Sequence, residues 1–387
     1  MCLVRCFIYS TGSTDVSRMG RFKYGNACSH RPHRRIILTS LNWLALCAIF
    51  VSSQVESAAP IYSFEIFSEI YTVDKKYRSM KGPQSTQSIV LLEGEEPELL
   101  WITGYETVVM DSAGDTEMPQ DFMCHSNLNI DMKKHRKKFG WHKNASRRLF
   151  TLSQGQARIR FPEGFGIPIM SNELLQLQSK VLNLNVEGAS FQVRHRVMVN
   201  FVRNSELSRS MQALFMKAAN GLVVLDSGDG YYNVGSPDSS VHGEGCLVGE
   251  RAEGKIREDN YGRKFSGHWV VRPGREENHT LVTEYMNLPF DTTVHYISTH
   301  LHPFSRTLEL YELTVGKTVF VSKVRNFEDK IGLEHVDTFT SIEGIPLYRD
   351  HEYELISVYE NTSDVDQDSM AVMFLYVLDK EFDASTL

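Results

Sequence analysis

The chain has 387 residues, with 41 Lys and Arg against 48 Asp and Glu, and 42% of its residues are hydrophobic. This length fits one or two domains. The composition excludes a collagen-like fibre, a disordered chain and a strongly basic nucleic-acid binder. We therefore expect a globular protein with sizeable apolar cores.

The N-terminal segment predicts export. Arg34 and Arg35 precede the mostly apolar run Ile36–Val51, which is shorter than the roughly 20 residues that a spanning helix needs. Small residues follow the run, and Val55 and Ser57 stand two apart, as signal peptidase prefers. We expect residues 1–57 to be a signal peptide or, if uncleaved, a signal anchor, and the protein to be secreted, periplasmic or on the cell surface.

Charge limits the partners of the processed chain. Removing residues 1–57 takes away seven basic and two acidic residues and leaves 34 basic against 46 acidic, a net charge of −12. Nucleic acids and anionic lipids bind through Lys and Arg on the protein. We therefore expect no nucleic-acid partner. We also expect no membrane contact, unless residues 1–57 remain as an anchor. The sequence leaves open whether the substrate is a small molecule or a peptide.

Only Cys124 and Cys246 follow the export segment. In an oxidising compartment two cysteines can form one disulfide, and this is the pairing we favour. The alternative is that Cys124, which is adjacent to His125, is a metal ligand, because thiolate and imidazole both suit copper or zinc.

Beyond residue 60 the dominant hydrophobic period is two, which indicates strands with one buried face. In Phe191–Phe201 the apolar residues and His195 share one parity, so we expect a half-buried strand in which His195 is a hydrogen-bonded core residue. Helical periodicity is confined to Ser205–Asn220. The further predicted strands are Leu308–Leu313 and Thr318–Val321, joined as a hairpin, Glu352–Tyr359 and Met370–Leu378.

Short strands separated by Gly, Pro, Asn and Asp turns are typical of sandwiches and barrels. We predict an all-β protein of two tandem antiparallel β-sandwich (jelly-roll-like) domains. The N-terminal domain spans 60–220 and the C-terminal domain spans 264–380. A Gly- and Asp-rich connection, 221–263, joins them.

The histidines between Val294 and Phe304 are the strongest chemical signal, since the nucleophile, Walker and His-Glu-x-x-His motifs are missing from the sequence. His300 and His302 are two residues apart, and in a strand such residues share a face. They could therefore bind one metal ion, although a solvated or hydrogen-bonded pair is also consistent with the pattern. His295 has the opposite parity and needs a bulge or bend to join them.

The stretch from Trp269 to Leu378 resembles the catalytic domain of the copper type II, ascorbate-dependent monooxygenases, the family of peptidylglycine α-hydroxylating monooxygenase and dopamine β-monooxygenase. The resemblance lies in Val270–Glu276, Leu288-Pro289, His300-Leu301-His302 and Asp368-Ser369-Met370. It implies copper bound by His300, His302 and Met370, with ascorbate or another small reductant as the electron source. Two imidazoles and a thioether also suit copper that cycles through Cu(I).

The N-terminal half resembles the family less closely. Cys124-His125 stands where the family has a pair of histidines for its second copper, and Leu182 stands at the place of the third. An aliphatic side chain cannot bind copper, so this second site is absent or rebuilt, and His125 could take part in it together with His135 and His142. The family's substrate-contacting Asn and Tyr are here Val372 and Phe374, so its substrates do not carry over.

The sequence therefore leaves three functions open. The first is a copper-dependent monooxygenase that hydroxylates a C–H bond with dioxygen. The second is a secreted, non-catalytic copper-binding or interaction protein on the same scaffold, since a scaffold does not imply its family's chemistry. The third, less favoured, is a zinc hydrolase that uses His295, His300 and His302.

Overall fold

Alternation of buried and exposed side chains recurs along the strands of the protein, here described from a computed structural model. The structure describes residues 7–8, 59–77, 82–139, 146–188, 190–224, 257–258 and 264–386. The predicted export run and most of the 221–263 connection lie outside these residues. The strand predicted at Phe191–Phe201 is confirmed, and its odd-numbered residues from Val193 onward are buried.

Strands make up most of the described chain, which confirms the all-β prediction. The two helices are α1 Met132–Phe139 and α2 Thr283–Met286, and 3₁₀ turns cover Gln120–Phe122, Asn204–Glu206 and Ala384–Thr386. The strands are β1 Phe7–Ile8, β2 Tyr62–Phe67, β3 Tyr71–Val73, β4 Gln84–Ile89, β5 Leu99–Asp111, β6 Met123–Ile130, β7 Arg148–Ser153, β8 Arg158–Arg160, β9 Phe165–Met170, β10 Leu175–Val181, β11 Phe191–Arg203, β12 Gln212–Asn220, β13 Val223–Val224, β14 Arg257–Glu258, β15 Lys264–Ser266, β16 Trp269–Val271, β17 Gly274–Leu281, β18 Thr292–Leu301, β19 Ser305–Glu312, β20 Lys317–Asn326, β21 Leu333–Val336, β22 Phe339–Leu347, β23 Tyr353–Asn361, β24 Gln367–Ser369 and β25 Ala371–Leu378.

The largest described sheet runs through both halves of the chain in the order β1-β2-β11-β5-β9-β12-β25-β18-β22, with β3 beside β11 and β8 beside β5. A second sheet, β4-β10-β6-β7, belongs to the N-terminal half, and a third, β17-β23-β19-β20-β21, belongs to the C-terminal half. Two smaller sheets, β13-β15-β14 and β16-β24, complete the set. The architecture is an antiparallel β-sandwich arrangement in which β9 and β12 form a parallel pair.

Strand β12 joins the two halves. It pairs with β9 at Gln212–Ala213 and antiparallel with β25 over seven residues, Leu214 to Asn220. The helical prediction for Ser205–Asn220 is therefore wrong. A continuous apolar run fits either a buried helix or a strand buried on both faces. Here the run is a strand because it pairs with β9 and β25.

The hairpin of Leu308–Leu313 and Thr318–Val321 is confirmed as β19 and β20. The predicted strands Glu352–Tyr359 and Met370–Leu378 are confirmed as β23 and β25. Apolar side chains from the three large sheets form one buried cluster, which includes Phe150, Phe215 and Leu375. Among the described residues no helix is long and apolar enough to cross a membrane.

The packing of β12 generates a stability prediction. Phe215 is fully buried and contacts Phe290 with ring centroids 6.3 Å apart. We expect Phe215→Ala to lower the free energy of unfolding by about 3–5 kcal/mol, because it leaves a cavity in the core. Urea denaturation measures this value, and Val315→Ala, at a residue 57% exposed, is the control. A loss no larger than that of the control would contradict the inference that β12 holds the two halves together.

Candidate metal centre

The register of β18 against β25 places the predicted ligands on one face. His300 lies opposite Val372 and Leu301 lies opposite Ala371, so the next pair in the same register is His302 and Met370. Residues directly opposite each other in an antiparallel pair point to the same side of the sheet. The structure therefore brings His300, His302 and Met370 to neighbouring positions of one face.

His300 is buried, and among the described residues neither of its ring nitrogens has a hydrogen-bond partner. Burial holds the pKa of His300 well below its ordinary value, and the charges of His302 and Arg148 lower it further. The side chain is therefore a neutral imidazole in a water-poor place. An imidazole in this state has a lone pair that it can give to a metal ion.

His302 is fixed by Asp368. Its Nδ1 lies 3.1 Å from the main-chain oxygen of Asp368 and 3.3 Å from a carboxylate oxygen of the same residue. When Nδ1 donates its proton to these acceptors, Nε2 carries the lone pair. This contact sets the tautomer of a ligating histidine, as outer-sphere carboxylates do in metal sites.

His268 forms the far side of the same group, since its Nε2 makes an ion pair with the other carboxylate oxygen of Asp368. Strand β16 pairs with β24, with Val270 opposite Asp368, and this pairing brings His268 to the site. One possible ligand atom from each of His268, His302 and Asp368 lies within 4.8 Å of the others. The sequence reasoning missed His268, although it directly precedes the stretch that carries the resemblance, and it gave Asp368 no role.

Met370 is buried and directly follows the short strand β24 that carries Asp368. Its main-chain oxygen accepts a hydrogen bond of 2.6 Å from the hydroxyl of Tyr359. Burial raises the pKa of Tyr359 well above its ordinary value, so the hydroxyl keeps its proton and remains a donor. The backbone position of Met370 is therefore fixed at the start of β25.

His125 enters the site from the N-terminal half. It lies on β6, and its ring centroid is 6.5 Å from that of His300. Its Nδ1 lies 3.5 Å from the sulfur of Cys124. Burial holds the pKa of His125 well below its ordinary value, and His300 and Arg148 lower it further.

His295 occupies a different environment. The register of β18 shifts between Val294 and Tyr296, so the bulge that the sequence required is present at His295. Its Nε2 lies 2.7 Å from the Thr293 hydroxyl, and its Nδ1 lies 3.0 Å from the main-chain oxygen of Ser341. Both ring nitrogens therefore have protein partners, and the zinc hydrolase alternative gains no third imidazole from this residue.

Two other candidates among the described residues, His135 and Leu182, do not join the centre. His135 pairs with Glu173 and stacks on Phe139. His142 and Cys246 lie outside the described residues, and with them the predicted disulfide. Leu182 is buried and supplies no ligand atom.

His195 is buried as expected, but the prediction that it is hydrogen bonded is wrong, since neither ring nitrogen has a partner. The edge of its ring meets Tyr71 at a centroid distance of 6.0 Å. Strand parity predicts burial, but hydrogen bonding depends on the residues that pack over the strand. At this position no donor or acceptor reaches the imidazole.

Comparisons with known proteins identify no family. No protein-family profile matches the chain, and no curated protein matches it. Among solved structures it is similar to a peptide-N(4)-(N-acetyl-β-D-glucosaminyl)asparagine amidase, with 8% identity over 82% of this chain and 98% of that one and a TM-score of 0.31. It is also similar to the STIV MCP, with 9% identity over 81% and 98% of the chains and a TM-score of 0.27. A Paenibacillus xanthan lyase matches with 9% identity over 82% of this chain and 24% of that one, at a TM-score of 0.16. At these identities and scores the similarities carry no argument about function.

His195 generates a prediction on acid stability. Burial lowers the pKa of His195 to about 4 in the folded protein, whereas an unfolded histidine has a pKa of about 6.5. Between these values the unfolded state binds the proton, so stability is lost as the pH falls through this range. Below pH 4 the free energy of unfolding is lower by roughly 3 kcal/mol because of this residue.

We expect His195→Phe to remove this loss and to flatten the dependence of the unfolding free energy on pH between about 6.5 and 4. Urea denaturation at a series of pH values measures the slope. The exposed variant His335→Ala is the control and should keep the wild-type slope. An unchanged slope in His195→Phe would show that His195 does not titrate as inferred.

Proposed function

We propose that the protein binds one copper ion through His300, His302 and Met370 and uses it to hydroxylate a C–H bond with dioxygen. The observation that carries this proposal is the buried imidazole of His300, whose ring nitrogens have no hydrogen-bond partner in the described part of the chain. A second imidazole, that of His302, lies 5.4 Å away between ring centroids. Buried polar atoms without partners cost free energy. A bound metal ion removes this cost.

The donor set favours copper over harder metals. Two imidazoles and a thioether are the ligands that suit copper in its reduced state. The paired part of β18 and β25 ends at Leu301 and Ala371, and His302 and Met370 are the next residue on each side. Copper held by His300, His302 and Met370 would supply activation of dioxygen: one oxygen atom would enter the C–H bond, and the other would leave as water after taking up two protons and two electrons from ascorbate or another small reductant. The protein's own contribution is to keep His300 neutral and to hold Nδ1 of His302 at Asp368, which leaves its Nε2 for another partner.

A non-catalytic copper-binding or interaction protein is the second candidate. The observation that favours it is Leu182, which is buried and stands where the resembled family has a ligand of its electron-supplying copper. Electrons would then have to reach a single centre directly. We also propose that the chain is exported, which the apolar run after Arg35 and the acidic charge of the remainder support.

The first test is metal content. We expect the protein, loaded with copper and dialysed, to retain about one copper per chain, and His300→Ala/His302→Ala to lose it because the two imidazoles are gone. Elemental analysis measures the copper, and circular dichroism checks the fold. His335→Ala, at an exposed histidine, is the control. Equal copper in the double variant and the wild type would exclude this centre.

Oxygen uptake in the presence of ascorbate separates the two candidates. Uptake by the copper-loaded protein that disappears in His300→Ala/His302→Ala supports the monooxygenase. Copper binding without uptake supports the non-catalytic protein.

Asp368 provides a second prediction. Removing its charge by Asp368→Asn weakens its hold on Nδ1 of His302, and we expect copper affinity to fall about 10–100-fold, as for other outer-sphere partners. Competition with a chelator measures the affinity. Asp364→Asn changes an exposed carboxylate of the same loop and should leave affinity unchanged. Equal affinities in the two variants would remove Asp368 from the centre.

A further inference from the structure

A group of two imidazoles and one carboxylate includes one proposed copper ligand and two residues outside the copper set. One possible ligand atom from each of His268, His302 and Asp368 lies within 4.8 Å of the others. Among the described residues this is the one set of three or more His, Cys, Asp or Glu side chains that comes so close together. His268 and Asp368 are not copper ligands in the proposed function, so that proposal does not account for their arrangement.

Strand pairing holds the three residues near one another. Val270 lies opposite Asp368 in the pair of β16 with β24, and His268 stands two residues before Val270. The hydroxyl of Ser266 fixes the main chain of His268, since it donates a 2.7 Å hydrogen bond to the carbonyl oxygen and accepts one of 3.1 Å from the N–H. His302 directly follows β18, which pairs with β25. The main chain is therefore held in place at each of the three residues.

The carboxylate of Asp368 contacts both rings, each through a different oxygen. Nε2 of His268 makes an ion pair with one oxygen, and Nδ1 of His302 lies 3.3 Å from the other. The two rings have centroids 5.9 Å apart and planes at 79° to each other. One nitrogen of each ring therefore points to the same carboxylate.

The spacing of the group is close to that of zinc ligands. Two imidazoles bound to one ion through bonds of about 2.0–2.1 Å have ring centroids roughly 5–6 Å apart, and the 5.9 Å between His268 and His302 lies inside this range. Ligand atoms of a tetrahedral ion with such bonds are roughly 3.3–3.5 Å apart, as Nδ1 of His302 and the carboxylate oxygen of Asp368 already are. The widest pair of the group, at no more than 4.8 Å, needs to close by at most about 1.5 Å.

Burial and charge favour a cation at this place. The side chains of Asp368 and His302 are 9% and 6% exposed, and a buried carboxylate is unfavourable unless its charge is compensated. One carboxylate balances only one protonated imidazole, whereas a divalent ion uses both rings and the carboxylate together. The side chain of His268 is 14% exposed, so the group can be reached from solvent on that side.

We propose that His268, His302 and Asp368 form a binding site for one zinc ion. Two imidazoles and one carboxylate are an established ligand set for zinc. The set contains no sulfur, the donor type that selects reduced copper. Three protein ligands leave the fourth position of a tetrahedral ion for a water molecule or an anionic group. This site goes beyond the proposed function, because His268 and Asp368 do not bind the proposed copper.

Zinc and copper are alternative occupants of His302. A neutral imidazole has one lone pair, which zinc takes at Nδ1 and the proposed copper takes at Nε2. Bound zinc therefore excludes copper from His302, and bound copper excludes zinc. This consequence, unlike the zinc site itself, rests on the proposed function.

The test is zinc binding by the metal-free full-length protein in competition with a chromogenic chelator, together with X-ray absorption of the zinc-loaded protein. We expect one zinc with two imidazoles, oxygen ligands and no sulfur. His268→Ala and Asp368→Asn each remove a ligand, so the affinity of each should fall at least about 100-fold, the upper limit for outer-sphere partners. Circular dichroism checks that both variants fold.

Two further variants are the controls. His335→Ala breaks an exposed pair with Asp337, in which nitrogen and oxygen are 3.1 Å apart, and should keep wild-type zinc affinity. Met370→Leu removes the thioether of the proposed copper set at nearly constant volume, and it should weaken copper binding but not zinc binding.

The outcomes separate the zinc site from the proposed function. If the wild type binds no zinc, if the zinc has a sulfur ligand, or if folded His268→Ala binds zinc like the wild type, the zinc site is wrong and the copper proposal is untouched. If copper-loaded wild type binds zinc at unchanged affinity and His268→Ala does not, the zinc site is supported, whereas copper does not use His302 and the proposed function fails.

Discussion

The pairing of β18 with β25 is the constraint on which the candidate centre depends. A shift of one residue in this register would turn His300 and His302 to the opposite face and separate them from Met370. The bulge at His295 changes the register within the same strand, so the residues before it and after it are positioned separately. Beyond the bulge, His300 contacts His125 of the N-terminal half, and His302 contacts Asp368 of the C-terminal half. His295 itself is hydrogen bonded to Thr293 and Ser341.

Strand β12 connects the paired strands β18 and β25 to the N-terminal half of the chain. It continues the sheet from β9 of the N-terminal half to β25 of the C-terminal half, so the face that carries His300 cannot move independently of the strands beside it. The second sheet, with β6 and β7, then packs over that face through Phe150 and Tyr376. His125, His300, Asn127, Asn129 and Arg148 are all buried polar side chains in this region.

Burying these polar side chains costs free energy of folding wherever they lack a partner. Arg148 donates a hydrogen bond to Asn129, and Asp368 links His268 to His302, but the ring nitrogens of His300 have no hydrogen-bond partner among the described residues. The sequence resemblance predicted His300, His302 and Met370 as ligands, whereas the contacts of His268 with Asp368 and of His125 with His300 come from the structure.

The sequence by itself determined the class of fold and part of the site. A period of two is a local property of a strand, so the all-β architecture, the half-buried strand at Phe191–Phe201 and the shared face of His300 and His302 could be predicted without knowing any neighbour. The pairing partners of a strand are not local. For this reason the apolar run in Ser205–Asn220 was wrongly predicted as a helix, and only the tertiary structure decided that it is a strand between β9 and β25.

The non-local nature of strand pairing also explains which candidate site residues the sequence predicted and which it missed. His195 could be placed in the core from parity, but the lack of a partner for its ring depends on what packs above it. His268 and Asp368 meet because β16 pairs with β24, and His125 meets His300 through a contact between strands of two different sheets. These contacts join residues far apart in the chain. The burial of apolar side chains around them, rather than any local pattern, brings them together, although burying the polar groups themselves is unfavourable.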